Sequence, residues 1–338
     1  MQIKEVLLEH EQSEIRHFLA RFQLQYEPDV DETIALFDDY NQLIATASSA
    51  ARVIKCVAID PNHQGKNIAA TLITEMIKRL NARGIHHIFV YTRPEQEALF
   101  KALGFKVIVH TMNMALLERG DSIEARLNRL KENYGLNQGE KACVVINANP
   151  MTKGHHHLIS TAAKNHEHVL VFVVEEDRSF FPFSDRFDIV SKTCAPLTNV
   201  TVLPTDRYLV SYASFPKYFL TQEQHIEHEH ALIDVLIFKT YYMKIFNIKT
   251  RHVGEEPYSP MTNAYNETMK QHLNTHLIVH PRLTLNNRPI SAQTVRQFLA
   301  KDHKSCVRDF VVEATYDYLL SKKGDDIIEH IKRAKKRH

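Results

Sequence analysis

The sequence predicts an α/β protein of two domains: a small mixed α/β domain, then a doubly wound parallel sheet. Three observations carry this. The chain has 338 residues, more than one domain usually holds, and 44% hydrophobic with 24% charged residues suits two packed cores. Strand and helix patterns alternate in two blocks separated by a polar stretch. In the second block the strand signals are unbroken apolar runs, as expected where helices cover both faces of a sheet. The expected division is a first domain over residues 1–120, a connector helix over 121–140 and a second domain over 141–338.

Taken in order, residues 12–25 place Ile15, Phe18, Leu19 and Phe22 on one face of an amphipathic helix. Residues 34–37 and 43–51 read as short strands around a turn at Asp39, Tyr40 and Asn41. A third strand, Val53–Ile59, is broken by Asp60-Pro61-Asn62-His63-Gln64-Gly65. The helix after it repeats Ile68, Leu72, Ile73, Met76, Ile77 and Leu80 at helical spacing, and Gly84 closes it. Residues 87–91 form another strand. Ser122–Tyr134 reads as a charged helix with a solvated face. The second block opens with the buried strand Ala142–Ile146, a polar loop, and a helix through His157 to Ala163. Val169–Val174 is the next buried strand, and 200–203, 231–238, 250–253 and 277–279 supply further elements. Alternation of strand, crossover helix and strand calls for parallel pairing.

Composition removes several function classes. Lys plus Arg number 42 against 40 Asp plus Glu, a net charge of +2, too balanced for a dedicated nucleic-acid binder. No run of 18 apolar residues offers a membrane span. The first ten residues carry acids and lack the core of a secretory signal. Cys56, Cys143, Cys194 and Cys306 lie far apart with no Cys-x-x-Cys pair, which reads as reduced thiols in a cytoplasmic protein. His225, His228 and His230 invite a metal reading, but His228 and His230 cannot share a helix face. A solvated helix face is expected there and no metal site. The tail Lys332–His338 reads as a frayed, basic helix end.

The strongest chemical signal is the loop Asn147-Ala-Asn149-Pro-Met-Thr152-Lys-Gly154-His155 between a buried strand and a helix. In a parallel sheet ligands bind beyond the carboxyl ends of strands, where helix N-termini offer free N–H groups to anions. Gly154 leaves room for a phosphate to reach the backbone. Thr152 adds a hydroxyl, and the imidazole of His155 can donate to charge that grows in a transition state. Thr-x-Gly-His resembles the His-x-Gly-His signature of the nucleotidyltransferase superfamily. Late in the same block, Ile290-Ser291-Ala-Gln-Thr294-Val-Arg296 resembles that superfamily's Ile-Ser-x-Ser/Thr-x-x-Arg segment. Ser291 can cap a helix there, and Arg296 can reach phosphate oxygens.

Three further segments extend the resemblance: Glu175–Arg186, Tyr208–Leu220, and Val253-Gly-Glu255-Glu256-Pro with Tyr265-Asn266. Together these resemble the citrate lyase ligases over nearly the whole chain. The resemblance implies an enzyme that uses ATP and Mg²⁺ to turn acetate into acetyl-adenylate. The acetyl group then passes to the thiol of the coenzyme A-like prosthetic group on the citrate lyase acyl carrier subunit, with AMP and pyrophosphate leaving. It implies catalytic roles for His155, Thr152 and Arg296. It implies nucleotide contacts by Asn147, Asn149, Gly154, Ser291 and Thr294. Arg186 is a candidate for phosphate or acetate, and Glu255 and Glu256 for ribose, adenine or Mg²⁺. Tyr212, Phe215, Tyr218 and Phe219 are candidates for the acetate or thiol pocket, with core packing the default. Two alternatives stay open: an adenylyltransferase of the phosphopantetheine type, and a sensor of nucleotide and coenzyme A without turnover.

In the first block, Val57–Ala69 followed by a helix resembles motif A of the GCN5-related N-acetyltransferases, and Leu99–Phe105 resembles the end of that fold. Motif A there reads Gln64-Gly-Lys-Asn67-Ile-Ala69, with Asn where the family has its central Gly. The resemblance implies pyrophosphate contacts near Gln64 and Ala69. Three readings stay open for this block: it holds the carrier's prosthetic arm, it binds acetyl-CoA, or it is only structural.

Overall fold

The computed structural model describes residues 1–63, 67–175, 179–209, 223–255, 260–286 and 288–336. Contacts divide the chain into two compact units, residues 1–126 with 216–233, and residues 127–215 with 234–338.

The first unit contains β1 (Gln2–Glu5), α1 (Glu9–Ala20), β2 (Glu32–Phe37), β3 (Leu43–Ala50), β4 (Val53–Ile59), α2 (Ile68–Ala82), β5 (Ile88–Thr92), α3 (Glu97–Ala102), β6 (Lys106–His110) and β7 (Ala115–Arg119). One sheet holds the seven strands in the order β1-β2-β3-β4-β5-β7-β6. α1 starts earlier than its apolar spacing suggests because Glu11 folds back and accepts the N–H groups of Leu7 and Leu8, both at 2.9 Å. α2 lays Leu72, Ile73, Met76 and Leu80 onto Ile34, Ala45, Ala47, Ile54 and Val90, all at most 1% exposed. Each such large aliphatic side chain contributes about 1.5–3 kcal/mol by leaving water. β4 and β5 pair in parallel only through Val53–Ile54 against Phe89–Val90. Beyond that point their edges are unpaired with one another. β4 also carries an irregularity opposite β3, and Cys56 within it takes a positive φ of 54°.

α4 (Ile123–Asn133) contains the division between the two units. The second unit holds β8 (Lys141–Ile146), α5 (Lys153–Asn165), β9 (Val169–Val173), α6 (Phe183–Cys194) and β10 (Val200–Pro204). α7 (Glu223–Ile237) enters it from the first unit, followed by a π-helical turn and the short α8 (Met243–Ile245). β11 (Ile248–Gly254), α9 (Pro260–Leu273), β12 (Leu277–His280), a small hairpin of β13 (Thr284–Leu285) and β14 (Arg288–Pro289), α10 (Ala292–Ala300), α11 (Glu313–Leu320) and α12 (Lys322–Lys336) complete it. Five parallel strands run β10-β9-β8-β11-β12. The chain winds outward from β8 in one direction and resumes at β11 in the other. The switch point is therefore between β8 and β11, where such sheets open a crevice at their carboxyl ends. Ile159 and Ala162 of α5 and Ile189 and Val190 of α6 pack on Val144, Val171 and Val173 of the sheet. A separate core of Phe181, Ile290, Val295, Leu299, Val311, Leu319 and Ile331 fixes the start of α10.

Several sequence expectations need correction. β1, β6 and β7 have no counterpart in the sequence reading. The apolar run 231–238, read from sequence only as an element without a type, is helical through Ile237. The expected solvated face around His225–His230 is only partly so: His228 is exposed, while Glu229 and His230 are buried. Glu229 accepts from Thr111 (2.5 Å) and Asn113 (2.7 Å) within the first unit. The His225 side chain lies outside what the structure describes. Among the described residues no His, Cys, Asp and Glu group has the arrangement of a metal site, and no helix is long and apolar enough to cross a membrane. The four cysteines are unbridged, with only Cys306 exposed.

Candidate active site

The loop after β8 is short and constrained. Ala148 has φ 51°, and the Asn149–Pro150 peptide is cis. At its end Thr152 caps α5. The Thr152 hydroxyl accepts the His155 N–H at 3.3 Å, and the Thr152 N–H donates to His155 Nδ1 at 3.0 Å. An imidazole nitrogen that accepts carries no proton, so the proton of neutral His155 sits on Nε2. Burial lowers the His155 pKa to about 4, with the charge of Arg282 adding to the effect. The ring is thus a neutral donor with a fixed tautomer at physiological pH.

The second segment meets the first. Ser291 caps α10, its hydroxyl accepting the Thr294 N–H at 3.0 Å and lying 2.8 Å from the Thr294 hydroxyl. A Cβ at Gly154 would stand 3.4 Å from the Ile290 carbonyl oxygen, so the two helix starts nearly touch. A cavity of about 380 Å³ lies at the switch point. Asn147, Thr152, Gly154, His155, Glu255 and Ser291 all line it. Two capped helices of nine or more residues therefore face one space with their positive ends.

The remaining candidates in this unit build its walls. Arg296 donates to the Asn149 carbonyl and lies 5.9 Å over the Phe180 ring, tying α10 to the loop. The Asn149 side chain accepts the Phe181 N–H at 3.1 Å. Arg186 was expected at phosphate or acetate, but it is wholly buried and does not line the cavity. It donates to the carbonyls of Asn147 (2.7 Å), Phe181 (2.9 Å) and Val174 (2.9 Å) and to Asn147 Oδ1 (2.9 Å). Thr294 is not among the residues that line the cavity and completes the cap of α10. Glu176, Asp177, Arg178, Glu256 and the aromatic group Tyr212, Phe215, Tyr218 and Phe219 lie outside the described residues.

The sequence reading missed Arg251, His280 and Arg282 and gave Tyr265 no role beyond its place in a resembling segment. Arg282, His280, Arg251 and the Tyr265 hydroxyl side chain line the same cavity. His280 ends β12 and Arg282 follows it, a position that the sheet rule alone could have flagged. His280 also ends a chain of imidazoles. His252 Nδ1 lies 2.7 Å from His280 Nε2, and His252 Nε2 lies 2.9 Å from His166 Nε2. His252 is 1% exposed, and burial reinforced by those two neighbours lowers its pKa to about 4.

The first unit has its own cavity, about 740 Å³, where β4 and β5 separate. Val57, Ile59, Asn67, Ala69, Thr92 and Phe100 are among its lining residues. Asn67 precedes α2 with φ 54°, a left-handed conformation that Asn tolerates and Gly prefers. Gln64 lies outside the described residues.

Comparison with known proteins covers both units. Residues 141–319 match the citrate lyase ligase C-terminal domain family, and residues 9–117 match the acetyltransferase (GNAT) domain family. The chain is 36% identical to the citrate (pro-3S)-lyase ligase of Escherichia coli (strain K12), over 94% of this chain and 91% of that protein. It is 32% identical to the enzyme of the same name from Haemophilus influenzae, over 94% of this chain and 98% of that one. The Klebsiella pneumoniae counterpart is 32% identical over 90% and 92% of the two chains.

Proposed function

This chain belongs to the citrate lyase ligase family and is an enzyme, and from that premise we propose that it acetylates a carrier thiol of citrate lyase at the expense of ATP. The observation that carries the reading is the meeting of α5 and α10 at one cavity, with a neutral His155 between them. In the first step a carboxylate oxygen of acetate attacks the α-phosphorus. The bond from that phosphorus to the bridging oxygen breaks, and pyrophosphate leaves. In the second step the sulfur of the carrier's prosthetic group attacks the acyl carbon. The bond to the AMP oxygen breaks, the thiol proton is released, and AMP leaves.

The residues of this chain suit the first step. The N-termini of α5 and α10 hold phosphate oxygens, and Gly154 lets them approach the backbone. His155 donates from Nε2 to the oxygen on which charge accumulates as pyrophosphate departs. Thr152 acts through His155, fixing its tautomer, and is a positioning residue. Arg296 and Arg186 are positioning residues as well, since they hold the loop from behind. Arg282 adds a cation on the phosphate side. Mg²⁺ fits this donor set as a phosphate-borne ion, because Glu255 is the only carboxylate among the described lining residues. When bound, the ion neutralises phosphate charge. The first unit's cavity, between diverging strand edges, suits the carrier's coenzyme A-like arm. Binding of acetyl-CoA and a purely structural role are the other two readings of that space.

The experiment follows pyrophosphate and AMP release from ATP, with and without acetate and a thiol acceptor. Acetate-dependent pyrophosphate release, and AMP release that needs the acceptor, are expected. Turnover indifferent to acetate would instead indicate an adenylyltransferase, and ATP binding without turnover a sensor.

A further inference from the structure

Arg251 is anomalous. It stands on β11 beside Cys143 of β8 and Leu277 of β12, in the middle of a parallel sheet, at 4% exposure. Its Nη2 donates to the Tyr265 hydroxyl at 3.2 Å. The Tyr265 hydroxyl in turn donates to Asp234. Asp234 is 4.0 Å from Nη1, too far for a hydrogen bond, and the Phe238 ring lies 4.4 Å from the guanidinium carbon. Nε and Nη1 have no hydrogen-bond partner among the described residues. A buried guanidinium with idle donors is costly, and native structures leave few such groups without a reason. Arg251 borders the same cavity as His155 and Ser291, so a bound anion can supply the missing acceptors.

We propose that Arg251 receives the carboxylate of the short-chain acid that the enzyme activates. This rests on the acid-activating reading above and assigns its second substrate a place. Depth separates this anion from the triphosphate. Arg251 lies three residues before Gly254, which at about 3.3 Å per residue puts it about 10 Å inside the end of the strand. The helix N-termini that suit phosphates are at that end. Around Arg251 the wall is apolar, with Val145, Val253 and Met269 lining the cavity. Those three side chains suit a methyl group, and Tyr265 and Asn266 are the polar lining residues beside them. An acid seated here presents its free oxygen toward the rim, and the α-phosphate must reach inward from the helix N-termini to bring its phosphorus within about 3–3.5 Å for attack.

The test measures acetate-dependent pyrophosphate release by the full-length enzyme, with KM for acetate and for ATP determined separately. Arg251→Gln is expected to raise the acetate KM at least tenfold while the ATP KM stays within about twofold, and Arg251→Lys to fall between the two. An unchanged acetate KM in Arg251→Gln overturns the assignment while leaving the acid-activating reading intact. Wild-type enzyme that releases pyrophosphate without regard to acetate removes the reading itself. Should Arg251→Gln fail to fold, Tyr265→Phe decides, because it keeps the charge but frees the guanidinium. A severalfold rise in acetate KM at constant ATP KM supports the site, and no rise overturns it.

Discussion

At the scale of single residues, the decisive feature is which nitrogen of His155 holds the proton. Because Nδ1 accepts from the Thr152 backbone, Nε2 is the donor, and the low pKa keeps the ring neutral. His155→Ala is expected to lower the rate of adenylate formation by about 10²–10³, the size of losing one oriented donor to developing charge. Its melting temperature should stay near that of the wild type, since the ring is only half-buried. Nitrogen-15 NMR should show a proton on Nε2 and none on Nδ1 from pH 5 to 8; an imidazole titrating near 6.5 would contradict the assignment. The sequence made this residue legible because Thr, Gly and His follow one another within four positions. Arg251 was not legible. One charged residue in a strand carries no local pattern, and its neighbours Tyr265 and Asp234 reach it only through folding.

At the scale of elements, two glycines in helices play opposite parts. A Cβ at Gly324 of α12 would fall 2.4 Å from the Tyr318 carbonyl and 2.6 Å from the Leu319 Cα, both backbone atoms that cannot step aside. Gly324→Ala is expected to destabilise the protein by about 3 kcal/mol, read by urea denaturation, because α11 and α12 must move apart. At Gly154 the added carbon meets Ile290 at 3.4 Å, a contact that small adjustments absorb. Alanine is also the better helix former. Gly154→Ala should therefore keep its melting temperature and lose ATP affinity, measured by calorimetry. Helix positions were largely readable from apolar periodicity, as α2 and α5 show. The ends were not: α1 begins early because of a side chain reaching back to its first turn. The short edge strands β1 and β6 escaped because they have few residues and half-exposed patterns.

For the whole molecule, two desolvated imidazoles, the half-buried His155 and the buried His252, tie stability to pH. His155 and His252 each have a folded pKa of about 4 against an ordinary 6.5. Between those values the unfolded chain binds more protons than the folded one, so stability is complete above about 6.5 and is lost as pH falls toward 4. The groups facing His252 are His166 and His280, and both add to the effect of burial in lowering its pKa. Differential scanning calorimetry should show the melting temperature dropping through that range, and His252→Gln should flatten the slope. The division into two α/β units followed from composition and alternation. The route by which residues 147–155 and 290–296 reach one another did not, because it depends on the order of strands across the sheet.

Arg296 bonds the carbonyl of Asn149, a link spanning 147 positions of chain. A ribosome must therefore release the chain through α10 before the proposed nucleotide pocket can close. Any product shortened ahead of α10, by early termination or by a protease, keeps its strands and its first histidine turn but has only half a catalyst.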